Sequence, residues 1–114
     1  MSDRRVIVVR RGATLAGDWH RYYIGRPSPL GNPWSHKREA HAELVGSRAD
    51  AIRLYTGWLD ALPVDSPQQV LIREMADRVR AGERVALECW CAPHPCHGHV
   101  IADRILNLVN KTGT

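Results

Sequence analysis

Between Cys89 and His99 the chain reads CWCAPHPCHGH, a window that holds all three cysteines and three of the six histidines of the protein. Thiols and imidazoles at this density suit a nucleophilic thiolate with an imidazole base, a metal site, or a densely packed turn. For the first, Cys96 is the candidate catalytic residue and His97 its partner. If a helix begins at Cys96, its unpaired amides and macrodipole lower the thiol's pKa, and His97, His94 or His99 can serve as base. Adjacent residues diverge on a helix, however, so Cys96 as a buried cap and His97 as a hydrogen-bonded linchpin of the turn is the competing assignment. Zinc would draw on Cys89, Cys91, Cys96 and His97. Against it, C-x-C on an extended strand holds its sulfurs about 7 Å apart unless the strand bends. No metal ligand is assigned, and the cofactor is unknown.

The second dense stretch is YYIGRPSPLGNPWS, residues 22–35. Gly25 and Gly31 permit tight turns and three prolines stiffen them, so side chains here are held still. Arg26 offers a planar fork for a phosphate or carboxylate, Asn32 a donor and an acceptor, and Tyr23 and Trp34 flat faces for stacking. Near Cys96, Gly98 leaves room for a ligand to approach the helix amides. Tyr23, Gly25, Arg26, Asn32, Trp34 and Gly98 are therefore the candidate ligand-binding residues.

These side chains must be positioned by regular elements. Val6 to Arg11 is a continuous β-branched strand, the habit of one covered on both faces in a parallel sheet. A long irregular stretch follows, in which only Arg21 to Ile24 reads as a short strand. A helix spans about Ser47 to Leu62, with Ala51, Ile52, Tyr55, Leu59 and Leu62 inward. A second starts at Ser66, where Ser66, Pro67 and Gln69 combine an N-cap, a first-turn proline and a capping box; it runs to Gly82 with Val70, Leu71, Met75 and Val79 inward. Arg84 to Cys91 is a strand carrying Glu88, an acid that must meet an arginine or reach water at a sheet edge. Cys96 to about Asn110 is the last helix, with Ile101, Ile105, Leu108 and Val109 inward.

Strands alternating with helices predict one α/β domain over residues 1–114, a small Rossmann-like sandwich with a parallel or mixed sheet and flanking helices. Val6 to Arg10 and Val85 to Cys89 should be neighbouring parallel strands. Ligands of such folds bind at the carboxyl ends of the strands, where both dense stretches emerge.

YIGRPSPLGNPW, then IRLYTGWL, then CWCAPHPCHGHVIA, resembles the domain of unknown function 4326 family over about Val6 to Leu106. That family comprises small proteins of bacteria and their phages, with a Y-I-G-R…G-N-P motif and a C-W-C-x-P…C-H motif and no established biochemical role. The resemblance implies that Tyr23, Ile24, Gly25, Arg26, Gly31, Asn32 and Pro33, with Cys89, Trp90, Cys91, Pro93, Cys96 and His97, share one site. His99 and Glu88 depart from the residues usual in the family.

The composition sets outer limits. With 114 residues, 44% hydrophobic and 25% charged, the chain can bury its own core without disulfides or metal. No apolar run is long enough to span a membrane and no signal-peptide core is present, so a cytoplasmic, membrane-independent protein with free thiols is expected. The net charge of +4 favours anionic partners, although its basic residues, fourteen of sixteen of them arginine, are scattered. The leading functional expectation is a pocket for a small anionic or nucleotide-like ligand between the GRPSPLGNP loop and the start of the CHGH helix, an enzyme if Cys96 and His97 react. The alternatives are a non-catalytic phage or bacterial adaptor for a host protein or nucleic acid, and a zinc-stabilised module. Neither classical glycine-rich phosphate motif occurs.

Overall fold

The computed structural model describes residues 5–38, 42–92, 94 and 96–112, which leaves the Pro93 of the C-W-C-x-P motif outside the described residues. The elements follow in the order β1 (Val6–Arg10), β2 (His20–Tyr23), β3 (Trp34–Ser35), β4 (Glu43–Leu44), α1 (Arg48–Ala61), α2 (Pro67–Arg80), β5 (Val85–Cys89) and α3 (His97–Thr112). The fold is α/β. β5 is the middle strand of a three-stranded sheet, with β1 and β2 parallel to it on either side. Val6 pairs with Val85 and Arg10 with Cys89, the parallel neighbours expected from the length of the intervening crossover.

The register places Val6, Val8, Val85, Leu87 and Cys89 on one sheet face. On that face the inward residues of the helices, among them Tyr55, Leu59, Met75, Ile101 and Ile105, complete a single hydrophobic cluster. Each such side chain contributes about 1.5–3 kcal/mol when fully buried. β1 is therefore an edge strand with Ile7 and Val9 only half-buried, and not covered by helices on both faces as its apolar run suggests. The opposite face of β5 carries Glu88, 8% exposed. Its carboxylate accepts from Arg21 Nη1 at 2.5 Å and lies 4.0 Å from Arg11 Nη1, while Arg21 also donates to the Ala13 carbonyl. Pairing with arginine is thus how the central strand tolerates an acid, since β5 is not itself an edge strand.

α1 starts where Ser47 accepts from the Asp50 amide, and α2 where Ser66 accepts from the Gln69 amide with Pro67 in the first turn. The capping box is only half formed. Gln69 Nε2 reaches away from Ser66 to the Leu59 carbonyl at the end of α1, tying the two helices together. The inward face of α2 is Ile72, Met75, Ala76 and Val79, so the phase of the helix leaves Val70 48% exposed. No helix among the described residues is long and apolar enough to cross a membrane.

Candidate functional site

β5 ends at Cys89, two residues before the pattern of its side chains suggests, and the chain bends at Trp90. The bend turns the indole outward, 57% exposed, and returns Cys91 toward Cys89. Cys96, at the residue before α3, completes the group: the sulfurs of Cys89, Cys91 and Cys96 all lie within 4.8 Å of one another, with Cys89 and Cys96 at 3.3 Å. All three are free thiols. The roughly 7 Å separation expected for a straight C-x-C strand is absent because the strand is already over at Cys91.

The three sulfurs compete for protons. Hydrogen bonds from Cys89 and then Cys96 hold the Cys91 thiol well below the ordinary range, against the opposing effect of burial. Cys96 is pushed up by Cys89, by Cys91 and by burial, and Cys89 is raised chiefly by Cys91. Cys91 is also the half-buried member of the group, whereas Cys89 and Cys96 are buried.

The start of α3 is satisfied from within. Cys96 Sγ accepts from the Gly98 amide at 3.3 Å, and the Cys96 amide donates back to His99 Nδ1 at 3.3 Å, a capping box built from a thiol and an imidazole. Two of the amides expected to face a ligand thus already have partners. Gly98 serves packing: a Cβ there would stand 2.9 Å from Val8 Cγ1 and 3.0 Å from Ile24 Cδ1. His97 is buried, edge-on to Tyr55 at 5.0 Å, and its Nε2 lies 2.6 Å from the Ile24 carbonyl, to which it donates. Burial lowers its pKa, so the ring is neutral and pins the end of β2 to the helix start.

The GRPSPLGNP loop is fixed at several points. Tyr55 donates its hydroxyl to the Leu30 carbonyl, Asn32 Nδ2 donates to Ala51 O, and Asn32 Oδ1 accepts from the Trp34 amide. Arg26 Nη1 donates to the Asn32 and Trp34 carbonyls, closing the loop on itself. Tyr23 bonds the Arg26 carbonyl through its hydroxyl, which occupies the place a side chain at Gly25 would need. One face of the Tyr23 ring is covered by Arg11 at 4.1 Å. Trp34 meets Trp58 edge-on at 6.2 Å and anchors its indole nitrogen on Glu43.

Between this loop and the α3 start lies a cavity of about 480 Å³ at the carboxyl ends of β2 and β5. Cys96, His97, Tyr23, Gly25, Arg26, Asn32 and Trp34 all border it; Gly98 does not. Cys89, Cys91 and His94 of the cysteine window border it too, and the structure adds residues outside both dense stretches: His36, Lys37 and Arg48. Arg48 carries one local signal, its position one residue past the Ser47 cap, but only the packing of α1 against the loop turns it toward the cysteines. The lining contains Arg26, Lys37 and Arg48 and no aspartate or glutamate among the described residues.

A family model described as a domain of unknown function, DUF4326, matches residues 7–107. No curated protein and no solved structure matches.

Proposed function

We propose that this chain, which belongs to the DUF4326 family, binds a small phosphate-bearing ligand of nucleotide type in the cavity at the carboxyl ends of its strands. The observation that carries this reading is the lining: three cationic side chains and, among the described residues, no carboxylate around a space of about 480 Å³, within the range that encloses a metabolite-sized ligand. In a cleft with apolar walls such charges reinforce one another for an anion. Position agrees with charge, since open parallel sheets place ligands beyond the ends of their strands.

Arg48 is the principal anion anchor. Its guanidinium stands at the cavity, and no carboxylate among the described residues pairs with it, whereas Arg26 Nη1 is engaged with loop carbonyls. Trp34 supplies the face for a ring, because Tyr23 is already stacked under Arg11. Cys96 and His97 form part of the floor, with their hydrogen bonds to Gly98 and Ile24 made inside the protein. The reading is one of binding, and any reaction would fall to the more accessible Cys91.

Isothermal titration with adenosine 5′-monophosphate, inorganic phosphate and adenosine tests it. Arg48→Ala should weaken the two phosphate-bearing probes by about 1–3 kcal/mol, the worth of a charge-assisted contact, and leave adenosine and the melting temperature unchanged. Absence of nucleotide binding at millimolar concentration, or equal binding by the variant, would overturn it.

A further inference from the structure

We propose that Cys89, Cys91 and Cys96 form a three-thiolate site for a zinc-class divalent cation, with the fourth coordination position open to the cavity. It does not rest on the anion reading, because it follows from the sulfurs alone. Thiolates at about 2.3 Å from a tetrahedral zinc stand about 3.8 Å from one another. Here one pair is 3.3 Å apart and all three fall within 4.8 Å, so each sulfur needs to shift by no more than about an ångström to enclose an ion.

Packing accounts for only part of the cluster. Cys89 and Cys96 belong to the hydrophobic cluster, where small thiols commonly lie. Cys91 is half-exposed at the cavity, and the chain brings it there by breaking β5 and turning the Trp90 indole into solvent. The bend lays Cys91 against the core and buries Ala92, but it also exposes a whole indole, and its other result is to complete a soft-ligand set. Soft thiolates select zinc over calcium or magnesium. A divalent ion with three thiolates carries one net negative charge, which the cations lining the cavity, Arg48 among them, accommodate.

The group stops at three. Among the described residues no further cysteine, histidine, aspartate or glutamate joins it, and His97 Nε2 is already bonded to the Ile24 carbonyl. All three cysteines border the cavity, so the remaining vertex points at whatever the cavity holds. Structural zinc sites close with four protein ligands, whereas sites that bind or activate a ligand keep one position for it. As each sulfur–metal bond forms, that thiol releases its proton to solvent, and nothing is oxidised or reduced.

The experiment is a cobalt(II) titration of the full chain in chelator-free, phosphate-free buffer with a non-thiol reductant. Saturation at one equivalent is expected, with thiolate-to-cobalt charge-transfer absorption and intense tetrahedral ligand-field bands, both abolished by zinc(II). Cys91→Ser removes a ligand outside the core; its fold, checked by circular dichroism, should persist while the charge-transfer band disappears at cobalt concentrations that saturate the wild type. Adding azide to the cobalt-saturated protein should shift the ligand-field bands. No charge-transfer band in the wild type, or an undiminished band in Cys91→Ser, overturns the site. Ligand-field bands indifferent to azide overturn the open position.

Discussion

Arg26 and Arg48 border the same cavity, and Arg26 is in addition bonded within its own loop. Arg26 Nη1 donates to two carbonyls of its own loop, Asn32 and Trp34, so Arg26→Ala should cost about 1–2 kcal/mol of stability, measurable as a lower urea midpoint, in addition to any effect on a ligand. The sequence offers a planar fork for a phosphate or carboxylate; the fold makes it a clasp as well. Gly98 shows a similar change of role. The bare backbone lets α3 lie against Val8 and Ile24, so Gly98→Ala should destabilise by about 1–3 kcal/mol in chemical denaturation, through overpacking and not through lost ligand contacts.

The four long elements with the firmest local signals, β1, α1, α2 and β5, were legible because period, caps and prolines agree there with the final packing. What could not be read locally depends on neighbours. β3 and β4 are two residues each, too short to leave a period. The bend at Trp90 ends β5 early although CWC alternates like a strand, and Val70 is apolar yet faces outward because α2 turns its other stripe to the sheet. Of the site, the loop and the cysteine window were visible as unusual composition, whereas Lys37 and Arg48 are brought to it by chain folding. Two links between elements are testable. Asn32→Ala removes both the Ala51 and the Trp34 bonds and should cost about 2–3 kcal/mol, with faster hydrogen exchange at the amides of Gly31 and Trp34. At the other end of α1, Asp60 accepts from Arg104 of α3, and that bond holds its carboxyl below the usual value of 3.8. A depressed carboxyl pKa stabilises the fold above the unfolded value and loses that contribution as pH falls through the folded one. The stability difference between wild type and Asp60→Asn should therefore be small but present at pH 7 and shrink toward zero as the pH falls through the lowered folded-state value.

For the molecule as a whole, β1 and β2 each pair only with β5 in the three-stranded sheet, and β5 begins at Val85. A fragment of residues 1–82 should accordingly lack a cooperative thermal transition, since it has the outer strands without the middle one. Adding a peptide of residues 83–114 should restore the transition if the pieces associate, and a cooperative transition in the fragment alone would contradict this reading of the sheet. The same topology orders events on the ribosome. Nearly three quarters of the chain emerges before any strand of that sheet has a partner, and the three cysteines come last: Cys89 ends the strand that closes the sheet, and Cys91 and Cys96 follow it. A nascent chain halted before residue 85 would expose two unpaired strands and two helices without their sheet, so completion of the site coincides with the moment at which the polypeptide first stops presenting apolar surface to chaperones and proteases.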